Sequence, residues 1–170
     1  MGNEWGKSDE GRGTSVITVD RISIKAAPER IFSVARDVEQ WPRILAHYRW
    51  VRFLEREPSG GIVEMAAWRP LGILRYPTWW ISQMTIDPAA FTISYRHIRG
   101  ITRGMDVRWR LAPHNGATDV SIEHRWSGPA WPGGGAFANI VVGPVFIHGI
   151  ASRTLAGIKQ AVESERGGVA

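Results

Sequence analysis

One stretch limits what this chain can fold into more than any other: the run from Trp131 to about Glu165. Every third or fourth residue is apolar or inward-compatible, through Phe137, Val141, Pro144, His148, Ala151, Leu155, Ile158 and Val162. That period is the mark of a helix with one face turned to a core. Its first half, Ala136 to Ile150, is apolar almost all round, whereas the second half carries Arg153, Lys159, Gln160 and Glu163 on its other side. A helix of this kind must be covered where it begins and wetted on one side where it ends. Gly143-Pro144 is expected to bend it, because proline removes a backbone donor and crowds the preceding turn. A bent, half-covered helix leaves space beside it.

Everything upstream reads as material for a sheet that wraps this helix. Val16 to Ile24 alternates and reads as a strand. Ala27-Pro28-Glu29-Arg30 opens a helix, with proline in the first turn and glutamate at the positive end of the dipole. Asp37 starts a second short helix that contains Trp41-Pro42. Six strands are expected next: Tyr48 to Glu57, Ile62 to Arg69, Arg75 to Ile86, Phe91 to Arg99, Met105 to Leu111 and Thr118 to Trp126. Their separators, such as Pro58 to Gly61, Asp87-Pro88, Gly100 to Gly104 and Pro113 to Gly116, have turn chemistry. The order predicts an α+β domain, a seven-stranded antiparallel sheet curled around a long C-terminal helix, with two short helices after the first strand.

At 170 residues the chain suits one domain, expected over residues 15–165. Residues 1–14 are polar and glycine-rich and read as a disordered tail rather than a secretory signal; residues 166–170 read as a flexible C-terminus. The longest apolar run is too short and too interrupted for a membrane span, so a soluble, cytoplasmic protein is expected. Cysteine is absent, which removes disulfides, thiolate nucleophiles and thiolate metal sites. The net charge of +5 favours acidic partners. Its basic residues are scattered and come with no nucleic-acid-binding motif, so no nucleic-acid partner is expected.

The more apolar face of each strand identifies what a cavity beside the helix would meet. That face carries Trp80, Ser82, Met84 and Ile86, then Phe91, Ile93, Tyr95 and His97. It continues with Val107, Trp109 and Leu111, then Val120, Ile122, His124 and Trp126. His148 reaches inward from the helix, and His47 lies where the second helix meets the next strand. A lone histidine among apolar residues is usually a satisfied core residue. Four histidines and a tyrosine aimed at one interior are costly to satisfy in a dry core, and a cavity relieves that cost. No two of the histidines have helix or turn ligand spacing, so neither a metal nor a cofactor is expected. Of the nine tryptophans, Trp41 reads as core filler. Trp80, Trp109 and Trp126 suit either core or a pocket for a flat conjugated ligand. Gly128 to Gly135 reads as a linker or as a mobile flap over the pocket mouth.

The opening "ITVDRISIKAAPERIFSVARDVEQWPRILAHYRWVRFLER" resembles the start of the polyketide cyclase/dehydrase family, which belongs to the START-like, helix-grip superfamily. The matching pieces are the alternating strand, "APERIF", the Asp-Val-x-x-Trp-Pro step and the strand ending "VRFLER". "TWWISQM" is similar to the aromatase/cyclase segment in which Trp, Ser and Arg line the pocket at alternate positions. Trp80 and Ser82 fit it, and Met84 stands where the arginine would be. The resemblance implies binding of a hydrophobic aromatic or poly-β-keto ligand, with aldol cyclisation and dehydration as the chemistry. His97, His124 and Tyr95 are the expected acid/base groups. Trp80, Ser82, Met84, Trp109, Trp126, Val141 and His148 are the expected ligand contacts. It also implies an acidic acyl carrier protein as partner, with Arg43, Arg49, Arg52, Arg69, Arg75 and Arg103 as the docking surface. The competing expectation is a carrier of a quinone, lipid or other hydrophobic molecule that does no chemistry.

Overall fold

The computed structural model describes residues 16–71, 74–100, 102–127 and 148–164. β1 (Val16–Ile24) leads into α1 (Pro28–Arg36), a 3-10 turn (Val38–Gln40) and α2 (Trp41–Ile44). Six strands follow: β2 (Tyr48–Glu57), β3 (Gly60–Leu71), β4 (Leu74–Asp87), β5 (Thr92–Gly100), β6 (Asp106–His114) and β7 (Ala117–Trp126). The C-terminal helix is described as α3 (His148–Ser164). All seven strands form one antiparallel sheet in the order β1-β7-β6-β5-β4-β3-β2, so only the β1–β7 contact is non-sequential. This is the helix-grip arrangement that the sequence implies, with a 3-10 turn between the two short α-helices.

Alternation along the strands decides which face is dry. Val63, Met65 and Ala67 of β3, Met84 of β4, Ile93 of β5, Leu111 of β6 and Val120 and Ile122 of β7 form a continuous buried face. Onto it α3 lays Ala151, Leu155, Ile158 and Val162, spaced four, three and four as a helical stripe requires. At Gly157 an added Cβ would lie 2.3 Å from Leu45 Cδ2, so the missing side chain lets α3 approach the end of α2. Lys159 Nζ donates to the Ser23 carbonyl at 2.8 Å, and the Lys25 amide donates to Glu163, tying the helix to the end of β1.

Two glycines shape the edges of this frame. Gly60 opens β3 at φ +137°, where any Cβ would strike the Met84 carbonyl. Gly100, at φ +97°, ends β5 where a Cβ would press on the backbone of Trp79 and Trp80. The β5–β6 connection can therefore close down beside Trp80.

The tail over residues 1–14, the C-terminus over 166–170, the Gly128 to Gly135 stretch and the Gly143-Pro144 bend lie outside the described residues. So does the first half of the expected long helix, including Val141. None of the helices described is long and apolar enough to cross a membrane.

Candidate active site

Between the sheet and α3 lies a cavity of about 70 Å³. That is room for a few water molecules or a short piece of ligand. Trp80, Tyr95, His97, Trp109 and His124 of the expected site all line it. Trp41 does too: it is buried, but it forms cavity wall rather than filler alone, its ring 5.7 Å from that of Trp109.

The remaining expected contacts stand elsewhere. Ser82 and Met84 are buried on the inner face of β4 and are not part of the cavity wall. They sit one and two steps further along β4 from Trp80, where the sheet is closed by core packing. Trp126 is also buried away from the wall, and its indole Nε1 donates to the Arg103 carbonyl at 3.1 Å. Its place is therefore that of a peg for the β5–β6 connection. His148 is the first residue of α3, and its side chain lies outside the described residues.

The expected docking surface includes Arg69, and here the structure corrects the expectation. Arg69 is only 7% exposed and lines the cavity. It follows Val63, Met65 and Ala67 on the inner face of β3, so the strand period carries it inside. Its Nε donates to Thr78 Oγ1 at 3.1 Å, and that hydroxyl donates to the Ala67 carbonyl. The guanidinium stands 5.1 Å from the Trp80 ring centroid. Burial pulls its pKa down to about 10, with Tyr48 and Tyr76 opposing the fall, so it remains a cation at neutral pH. Among the described residues that line the cavity, Arg69 is the only Lys, Arg, Asp or Glu.

Burial first, and this cation after it for three of the four, sets the state of its neighbours. His97 is held down to about pKa 3 by burial, then by His124 and Arg69. His124 is held down to about 3 by burial and then by Arg69. Both rings are neutral at any working pH. Burial pushes the Tyr48 phenol up to about 12, against the pull of Arg69 and a hydrogen bond with Thr154. Tyr95 is raised well above its ordinary value by burial and by Tyr48. Both phenols keep their protons at neutral pH. The Tyr95 hydroxyl, Trp41 Nε1 and His124 Nδ1 are buried with no hydrogen-bond partner among the described residues.

His47 stands at one end of the site. Its Nε2 is 3.0 Å from Thr154 Oγ1, and burial, Arg69 and Arg153 hold its pKa down to about 4. Thr154 itself lines the cavity. At the other end the His97 ring lies 5.9 Å from Trp80 at 23°, with its Nδ1 2.7 Å from Thr102 Oγ1. Sequence reasoning missed Tyr48, Arg69, Thr102 and Thr154. Alternation signals the inward placement of Arg69, and the helical stripe signals Thr154. Nothing local marks Thr102.

Among the described residues no three His, Cys, Asp or Glu side chains are placed to hold a metal ion. The arrangement is one cation, two neutral imidazoles and two protonated phenols facing an apolar void. Such a set can hold a carbonyl oxygen and stabilise negative charge as it develops there.

The family model described as "Polyketide cyclase / dehydrase and lipid transport" matches residues 24–148. The granaticin polyketide synthase bifunctional cyclase/dehydratase of Streptomyces violaceoruber is 27% identical over 110 residues, which is 62% of this chain and 32% of that protein. The chain thus matches about a third of that relative's length. A solved structure from Thermus thermophilus aligns with a TM-score of 0.74 at 17% identity, covering 88% of this chain and 98% of that one. The Zhui aromatase/cyclase from Streptomyces sp. R1128 aligns with a TM-score of 0.66 at 18% identity, over 89% of this chain and 93% of that one. At such identities the structural likeness speaks for the fold alone.

Proposed function

The chain belongs to the polyketide cyclase/dehydrase and lipid transport family, and from that premise we propose that it folds a poly-β-keto segment in its inner cavity and closes a ring by aldol condensation. The observation that carries this reading is Arg69, a cation kept in an apolar cavity beside His97, His124, Tyr95 and Tyr48. Keeping a guanidinium out of water is costly, and a core that only had to pack would replace it with an apolar side chain.

The reaction begins when a methylene between two carbonyls loses a proton to a neutral imidazole. The enolate oxygen is held by Arg69, and the enolate carbon attacks a second carbonyl further along the chain. A carbon–carbon bond forms, and the carbonyl electron pair moves onto oxygen, which takes back the proton carried by the imidazolium. Dehydration follows by loss of an adjacent α-proton and departure of the hydroxyl as water. One water leaves for each ring closed and aromatised, and no oxidant is needed. Burial and Arg69 disfavour a charged histidine, which weakens the imidazole as a base but speeds the return of its proton. The step therefore relies on Arg69 to stabilise the enolate. Trp41, Trp80 and Trp109 offer flat walls on which a nascent ring can lie. Holding the chain so that the correct carbons meet supplies much of the rate.

An acidic carrier protein is the proposed source of the substrate. Residues 41–54 and 65–86 contain neither Asp nor Glu, yet they carry Arg43, Arg49, Arg52, Arg69 and Arg75. Arg49 and Arg75 flank the Trp68 ring, at 4.8 and 6.0 Å from its centroid. Arg69 leaves the docking set because it is buried, while Arg49 and Arg75 are exposed.

The test is incubation of the purified chain with a short poly-β-keto thioester and analysis of products by mass. Loss of water with formation of an aromatic ring supports the proposal, and loss of that activity in Arg69→Met or His124→Gln locates it. Saturable binding of the same compounds without turnover would leave a carrier instead.

A further inference from the structure

We propose that the two cavity histidines are not interchangeable: Thr102 locks His97 as a hydrogen-bond donor through Nε2–H, which leaves the proton-accepting role to His124. This division of labour rests on the cyclase reading for its chemistry but not for its structural content.

The hydroxyl of Thr102 is buried, and its one side-chain hydrogen bond among the described residues is the 2.7 Å contact with His97 Nδ1. A neutral imidazole has one N–H and one acceptor nitrogen. Either tautomer leaves one donor over: the Thr102 O–H if Nδ1 carries the proton, the His97 Nε2–H if Nε2 does. Thr102 is 4% exposed and has no second side-chain partner among the described residues. His97 lines the cavity and its Nε2 is not a buried unpartnered atom, so a leftover N–H there can meet a ligand oxygen. The hydroxyl therefore donates to Nδ1, and the proton of the ring sits on Nε2.

The connection that carries Thr102 is held from several sides, so the lock is rigid. The Gly104 amide donates to the His97 carbonyl at 2.8 Å, and the His97 amide donates to the Met105 carbonyl at 2.9 Å. The Met105 amide donates to the Thr102 carbonyl at 3.0 Å, and the Arg103 amide to that of Gly100 at 3.1 Å. Trp126 Nε1 pins the Arg103 carbonyl from β7. The stack of His97 on Trp80 fixes the plane of the ring. His124 is the opposite case, because its buried Nδ1 has no hydrogen-bond partner among the described residues to fix the tautomer from that side. A neutral ring that resists protonation, with its hydrogen fixed on Nε2, suits polarisation of a ketone rather than removal of a proton. Thr102 is thus a positioning residue acting through His97.

Solution NMR of the full chain labelled with 15N-histidine reads the tautomer directly. The expected result is a single His97 form with bare Nδ1 and protonated Nε2, unchanged from pH 5 to pH 8. A protonated Nδ1, a mixture of tautomers or a titrating His97 would overturn the proposal. Thr102→Val is expected to give a mixed population, and Thr102→Ser to restore the single form. If Thr102→Val fails to fold, the wild-type and Thr102→Ser spectra still decide. A wild-type spectrum from a folded Thr102→Val would refute the positioning role.

Ring-closure kinetics add a second readout. Thr102→Val should lower kcat by up to about 100-fold with little change in KM, and Thr102→Ser should recover most of it. His97→Gln, whose amide places an N–H near the position of Nε2, should retain more activity than His97→Phe. His124→Gln should cost about 10²–10⁴-fold. Equal losses in His97→Gln and His124→Gln would contradict the division of roles. Absence of any turnover would defeat the cyclase reading and leave the tautomer result standing.

Discussion

The two faces of one sheet treat arginine in opposite ways. On the outer face Arg96 of β5 reaches across to both carboxylate oxygens of Asp106 on β6, at 3.0 and 3.2 Å. Arg125 stands 3.4 Å from Glu123. Arg52 meets Glu64 at 2.6 Å, and Glu64 also accepts the Trp79 indole N–H. These guanidiniums are largely in water, with 58–66% of each side chain exposed. On the inner face Arg69 is withdrawn from water and is held by the Thr78 hydroxyl and the Trp80 ring. An exposed ion pair adds little to stability and tolerates loss. A buried cation is retained against a desolvation penalty of several kcal/mol. Its retention in a cavity wall therefore points to work done on a ligand.

The largest expected contrast between the faces is in their response to acid. His97, His124 and His47 have pKa values near 3, 3 and 4 in the folded protein, against 6.5 when unfolded. Below pH 6.5 the unfolded chain binds protons that the folded one refuses. Their contribution to stability is therefore complete above pH 6.5 and is lost as pH falls from there towards 3. Together they should remove several kcal/mol by pH 4. Urea unfolding at steps from pH 7.5 to pH 4 measures it. A variant with Gln at position 97 should show a flatter decline. On the outer face Glu64 behaves differently: partial burial raises its pKa, but bonds from Trp79 and Arg52 outweigh that and hold it below 4.5. Its contribution is present above pH 4.5 and is lost only at lower pH. A stability that stays flat between pH 6.5 and pH 4.5 would mean that the inner histidines are hydrated.

Next in size is the effect of removing the inner charge. Arg69→Met should lower kcat for ring closure by about 10²–10³-fold, the usual cost of losing a preorganised oxyanion partner. The same change should leave the urea midpoint unchanged or raise it, because the desolvated cation is gone. Arg69→Lys should recover only part of the rate, since an ammonium lacks the planar fork. A stability loss with normal turnover would reverse the meaning of Arg69 and make it a structural residue.

The same contrast explains what is legible in the sequence. Alternation in β4 to β7 is enough to send Trp80, Tyr95, His97, Trp109 and His124 inward, because the bulk of these strands is apolar on one side. It is also enough to place Arg69, which Val63, Met65 and Ala67 precede at two-residue steps, all of them buried. Charge argues for the surface and period for the interior at that position, and charge is the poorer guide. Ser82 and Met84 share the inward face, yet a face does not say where along a strand the void ends. Tyr48 enters at the first residue of β2, and Thr102 lies in a turn, where no periodicity operates. Trp126 is inward as expected, but its indole has a backbone carbonyl for a partner rather than open space.

A smaller effect is expected at the Trp80 ring, where Arg69 lies over it and His97 beside it. Trp80→Ala should weaken binding of a flat phenol or quinone, followed by quenching of tryptophan emission. The expected cost is about 0.5–1.5 kcal/mol beyond the lost contact area. An unchanged affinity would place the ligand elsewhere in the molecule.

The smallest effect is expected at the outer pair Arg96–Asp106, and it completes the contrast. The two side chains face each other directly across β5 and β6, with Arg96 63% and Asp106 29% exposed. Water competes for both charges, and ordering the long arginine costs entropy that offsets the attraction. A double-mutant cycle with Arg96→Ala and Asp106→Ala should give a coupling of about 0.2–1 kcal/mol. At 1 M salt it should shrink further, because the screening length falls to about 3 Å. Ring closure should be unaffected by either substitution, since neither residue reaches the cavity. A coupling above about 2 kcal/mol, or one insensitive to salt, would mean that the outer face is drier than its exposure indicates. The two arginines would then differ in degree only, and the retention of Arg69 would lose its force as a sign of function.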